Sequence, residues 1–157
     1  MIARFLCTAA LTSLALAALH AEDPTDKLAR RAVDRFLDAH KASDVDGMML
    51  HVEVPWFHDA KEVITDRMQL RREFEKELAR EKDRTNLQHK ITQIVPYRTV
   101  RDKLREDERK LTDEVVRESD RLVLVLIGRE ADKDRGDKVA FLVGIKDGQA
   151  KVVGLKD

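Results

Sequence analysis

The sequence predicts an α+β domain, with N-terminal helices packed on a curved, mainly antiparallel sheet. Three observations carry that expectation. Amphipathic helical segments fill the first half; the last third consists of apolar runs with strand character; and Asp147-Gly148 joins two of those runs as a tight hairpin. At 157 residues the chain is long enough for one domain with a sizeable core and too short for two comfortable ones.

Residues 1–21 stand apart from that domain. Arg4 is followed by an uncharged apolar run from Phe5 to Leu19, and small residues precede Glu22-Asp23-Pro24. This is the pattern of a secretory signal peptide, with cleavage expected after Ala17 or Ala21. The run is shorter than a spanning helix needs, so stable membrane insertion is not expected. The single domain is then 22–157, and the protein is expected to be exported, periplasmic or secreted. Cys7 lies in the leader and is the chain's one cysteine, so the mature domain must be held by its core and not by disulfides.

Charge is dense but balanced. Thirty Lys and Arg face thirty Asp and Glu, and the leader removes only Arg4, leaving 29 basic against 30 acidic residues. No one-signed field draws in nucleic acid or an anionic membrane, and neither is expected as a partner.

The first helix is predicted after Pro24, with Thr25 as N-cap. Leu28, Ala32, Val33, Phe36, Leu37 and His40 form its apolar stripe, while Lys27, Arg30, Arg31, Asp34 and Asp38 form its wet side. Ser43-Asp44 ends it and caps a short helix, Val45 to Leu50. Pro55 keeps the chain extended near Val54. Trp56-Phe57-His58-Asp59 reads as a strand, Ala60-Lys61-Glu62 as a turn, and Val63-Ile64 as its return. A helix opens at Asp66, with Gln69 as capping-box partner and Leu70, Phe74 and Leu78 as its buried stripe. Alternation from Leu87 to Tyr97 predicts a strand placing Leu87, His89, Ile91, Gln93, Val95 and Tyr97 on one side; Pro96 confines its end to an edge or bulge.

The charged segment Thr99 to Val116 carries a thin apolar stripe, Val100, Leu104, Leu111 and Val115, and is read as a helix with a break near Asp107. Leu122 to Ile127 is a strand apolar on both faces. A loop at 131–136, a strand from Val139 to Ile145, the Asp147-Gly148 turn and a last strand, Gln149 to Leu155, complete the chain. A strand that is apolar on both faces needs two covers; helices can supply one, and either a second subunit or the 99–116 helix must supply the other, and a homodimer through the sheet is expected.

This succession of a long helix, a short one around Ser43-Asp44-Val45-Asp46-Gly47-Met48, a Pro-Trp-Phe-His-Asp strand, a helix at Thr65-Asp66 and then long strands resembles the nuclear transport factor 2-like superfamily. More narrowly, it is similar to the SnoaL-like branch found in exported bacterial proteins. The resemblance covers roughly residues 25–157, with 101–116 as an insertion. It implies a cystatin-like cone whose mouth holds a small apolar molecule, in a superfamily that contains isomerases, dehydratases, epoxide hydrolases and cyclases beside members that only bind or dimerise. No catalytic motif transfers residue by residue, and fold does not by itself give function.

The residues themselves offer a short set of candidates. His58 and Asp59 are the candidate catalytic groups; adjacent in a strand, they point to opposite faces and cannot act as a dyad. Trp56, His58, His89 and Tyr97 are the candidate ligand-binding residues. On an uninterrupted strand His89 and Tyr97 share a face yet lie about 26 Å apart, too far to touch one small ligand. His51, Glu53, His58, Asp59 and His89 include metal-ligand types, but no spacing among them sets a coordination geometry, so no metal is expected, and no cofactor. A Gly-rich phosphate loop, a Ser nucleophile elbow and a Cys nucleophile are all missing from the sequence. The expected function is a small-ligand-binding or dimerisation domain. The alternatives are a small-molecule enzyme using a polar group in the cone and a periplasmic protein-interaction module with a filled cone.

Overall fold

A computed structural model describes residues 22–59, 61–80, 85–129 and 136–156. The expected leader and the loop at 131–135 lie outside those residues. Eleven elements follow: α1 (Pro24–Lys41), α2 (Val45–Leu50), β1 (Val52–His58), β2 (Glu62–Ile64), α3 (Arg67–Arg80), β3 (Leu87–Pro96), α4 (Arg98–Arg101), α5 (Glu106–Asp113), β4 (Arg121–Arg129), β5 (Asp137–Lys146) and β6 (Gln149–Lys156). The strands form one sheet in the order β2-β1-β6-β5-β4-β3. Every neighbouring pair is antiparallel except β1 with β6, which is parallel. The architecture is the α+β arrangement the sequence predicts.

The helix caps follow from short polar side chains. Asp23, not the expected Thr25, caps α1: its carboxylate accepts from the Thr25 backbone N–H at 2.7 Å, and Pro24 takes the first helical position, where no N–H is needed. Asp44 caps α2 as expected, accepting from Gly47 N–H at 2.9 Å. Asp66 accepts from Met68 N–H at 2.8 Å and opens α3. Asp147 and Gly148 both have positive φ, 51° and 73°, the requirement of a two-residue turn between right-twisted strands.

One apolar core lies between the inner sheet face and α1, α2 and α3. Phe36 is its hub, with ring centroids 6.2 Å from Trp56, 5.8 Å from Phe74 and 5.9 Å from Phe141. A second core lies on the outer face, where Phe57, Tyr97, Val116, Leu142 and Val153 pack with Val100, Leu104, Leu111 and Val115. The predicted helix over 99–116 is therefore two short helices with a break at residues 102–105, and both lie against the sheet. Its thin stripe packs on the sheet, where Leu122 of β4 joins this outer core while Leu124 and Leu126, its next outward residues, stay half-buried outside it. The helices thus supply only part of the second cover that this strand needs.

Two local features shape the sheet. At Gly154, paired with Phe57, an added Cβ would lie 2.6 Å from Phe57 Cβ and 2.7 Å from Phe57 O, so only glycine lets β6 run this close to β1. In β3 the register slips between Ile91 and Gln93 opposite Val125 and Leu124, leaving Thr92 as an extra residue whose hydroxyl donates to Leu124 O at 3.1 Å. The bulge inverts the alternation. Ile91 and Ile94, three apart, both pack on the inner core, and Tyr97 enters the outer one. The expectation that Leu87 through Tyr97 keeps one side is thereby overturned.

Candidate functional site

The inner face ends in a cavity of about 560 Å³ between α1, β3, β4 and β5. That volume is within the usual range of small-molecule sites. Phe36 and Leu37 of α1, Leu87, Ile127, Val139 and Phe141 of the sheet give it apolar walls. The α1 stripe thus serves twice: its middle turns fill the core, and its last turn, with His40, reaches the cavity wall.

His89 is the polar group best defined there. Its Nε2 lies 3.0 Å from Asp34 Oδ1, across 55 residues of sequence, and ties β3 to the solvent side of α1. A carboxylate on one ring nitrogen orients an imidazole and favours the tautomer that leaves the other nitrogen as acceptor. Asp34 is the site residue the sequence reading assigned to the wet face. No local pattern marks it, because its role depends on a strand that pairs far downstream.

A second cleft, about 440 Å³, adjoins the cavity; Glu77 and Leu155 line both. His58 and Asp59 lie here, with Glu73, Lys76 and Arg80 of α3. Asp59 sits at φ 46°, beyond the end of β1, and pairs with Lys61. Glu73 accepts from Lys76 Nζ at 2.8 Å, and that bond chiefly holds its carboxyl below the usual carboxylate range; the charges of His58 and Arg80 act in the same direction. His58 Nδ1 is buried without a hydrogen-bond partner.

The predicted site residues are therefore divided. His89 reaches the cavity; His58 and Asp59 reach the adjoining cleft. Trp56 is fully buried against Phe36 and Phe74, behind the cavity wall, with its Nε1 unpaired. Tyr97 lies on the outer face, where its hydroxyl is 2.5 Å from Thr112 Oγ1 and donates to Asp113 Oδ1 at 3.0 Å. His51 and Glu53 remain apart from both clefts: His51 is the C-cap of α2, and Glu53 lines an outer-face groove. Burial pushes the His51 imidazole pKa down, helped by Lys151 and Arg35. Among the described residues no His, Cys, Asp and Glu side chains gather as a metal cluster, and no helix is long and apolar enough to cross a membrane.

No protein-family model matches the sequence, and no curated protein matches it significantly. Solved structures do. A domain of unknown function with a cystatin-like fold from Nostoc punctiforme is 11% identical and superposes with a TM-score of 0.51 over 87% of this chain and 77% of that one. A variant of the protein Rd1NTF2_05 is 12% identical, with a TM-score of 0.51 over 85% of this chain and 98% of that one. An NTF2-like protein of unknown function from Cytophaga hutchinsonii is 8% identical, with a TM-score of 0.43 over 82% and 86% of the two chains. At such identities the likeness speaks for the fold alone, and the two superpositions at a TM-score of 0.51 give the chain a nuclear transport factor 2-like, cystatin-like fold.

Proposed function

We propose that the chain is an exported domain that binds one small, mainly apolar molecule in the cavity between α1 and the sheet. The observation that carries this reading is the cavity itself: about 560 Å³, with apolar side chains from five elements and an imidazole fixed by Asp34 at its wall. A concave recess of this size with apolar walls is the usual form of a small-molecule site, which a cone filled by its own side chains would lack. Export rests on the leader pattern of residues 1–21.

A second reading, an enzyme of the isomerase, dehydratase or hydrolase type, is favoured by the His89–Asp34 pair. An imidazole oriented by a carboxylate beside an apolar cavity is the arrangement a general base requires. A homodimer through the sheet rests on Leu124 and Leu126, half-buried on β4 and alternating with the inward Val123 and Val125.

One measurement addresses all three readings. Native mass spectrometry of the protein purified from a periplasmic extract is expected to show a chain beginning at residue 18 or 22 with a retained small molecule. A bare mass removes the ligand-binding reading and favours a protein partner. The same spectrum reads one chain or two. If the retained molecule is turned over by the wild type and not by His89→Gln, the enzyme reading replaces simple binding.

A further inference from the structure

We propose that the bound molecule is an amphipathic monocarboxylate, its apolar tail in the cavity and its carboxylate in the adjoining cleft near Arg80. The inference rests on the ligand-binding reading above and adds the chemistry of the head group. The two spaces share Glu77 and Leu155, so one extended molecule can occupy both. Their linings differ in degree: the larger sets Phe36, Leu37, Leu87, Ile127, Val139 and Phe141 beside polar and charged groups that include Lys41 and Lys138, whereas the smaller is lined by ionic and imidazole side chains with Leu155 as its one aliphatic group.

The charges of the smaller cleft balance in number once Lys61 is included, but they are not all paired with one another. Asp59 is matched by Lys61 and Glu73 by Lys76. Glu77 has an interaction of its own. Arg80 makes no hydrogen bond or ion pair among the described residues and acts on Glu73 only through space. His58 lines the same cleft, and its Nδ1 is buried with no partner. After the internal pairs are counted, the group left over is a guanidinium, whose planar fork suits a carboxylate. Glu73 beside it and Glu77 on the seam disfavour a dianion such as a phosphate monoester. A single negative charge fits best.

The test compares two ligands with one tail. Decanoate and decan-1-ol are titrated calorimetrically into the mature protein and into Arg80→Gln. Arg80 is exposed at the end of α3, so this substitution leaves both cores intact. Decanoate is expected to bind the wild type about fivefold tighter than the alcohol at low salt, the upper range for a solvent-exposed ion pair. The preference should shrink as salt is added. In Arg80→Gln it should vanish, with the affinity for decan-1-ol unchanged. Equal affinities in the wild type, or a preference that survives the substitution, overturn the head-group proposal and leave the cavity reading standing. Failure of both ligands to bind overturns the cavity reading, and the head-group proposal falls with it.

Discussion

Replacing Phe36 by alanine is expected to lower the unfolding free energy by about 3–5 kcal/mol, the range for truncating a large buried aromatic. Phe36 is 2% exposed and meets Trp56, Phe74 and Phe141, which come from β1, α3 and β5. Its ring therefore holds three separately folded pieces against α1. The neighbours cannot close the gap easily, because one side of Phe36 already borders the cavity. Against a typical total of about 5–15 kcal/mol, the loss is large enough to threaten folding. Phe36→Leu keeps most of the volume and provides the milder comparison, with an expected cost of about 1–2 kcal/mol. Urea unfolding followed by the emission of Trp56, the chain's one tryptophan, reads both variants. A cost for Phe36→Ala no larger than that for Phe36→Leu would show that the four rings do not form a common core.

Much of this core was legible in the sequence, and the reasons are local. The α1 stripe, the Asp44 cap, the α3 stripe and the Asp147-Gly148 hairpin depend on spacings of a few residues, which a sequence displays directly. The helix at 99–116 was legible in its apolar residues but not in its continuity, since Val100, Leu104, Leu111 and Val115 reach the sheet from either side of a break. Thr92 defeated the reading of β3. A bulge is decided by the partner strand, and nothing around Thr92 announces that Leu124 will oppose two residues. One inserted residue carried Tyr97 from the expected ligand face to the outer core. The site was legible only in fragments, because a cavity exists between elements. His89 could be nominated from its strand, but Asp34 meets it, and Arg80 reaches the adjoining cleft, only when α1 and α3 are laid against the sheet.

Tyr97 supplies the second large effect, expressed as a pH dependence. Burial pushes its phenol up to about 12 from the usual 10; the neighbouring Asp113 carboxylate adds to the shift, and Thr112 and Arg101 oppose it. The folded state thus favours the neutral phenol, which binds its proton more tightly than the unfolded chain does. A group with a raised folded pKa stabilises fully below its unfolded value, here about pH 10, and that contribution is lost as pH rises through about 12. A shift of about 2 units corresponds to about 2–3 kcal/mol. Ionisation would place a phenolate beside Asp113, whose carboxyl is held low by Arg101, so α5 should loosen from the outer face first. Because Tyr97 is the chain's one tyrosine, tyrosinate absorbance reports it without overlap. The wild type is expected to show a midpoint near 12 and a steep fall in urea resistance over the same interval. Tyr97→Phe should lose the tyrosine-specific part of that fall, while costing only about 1 kcal/mol at neutral pH, since Asp113 keeps its Arg101 bonds and Thr112 its bond to Glu108 O. A midpoint near 10, with no difference in alkaline stability between the two proteins, would mean that the phenol is solvated and that α4 and α5 do not seal the outer core.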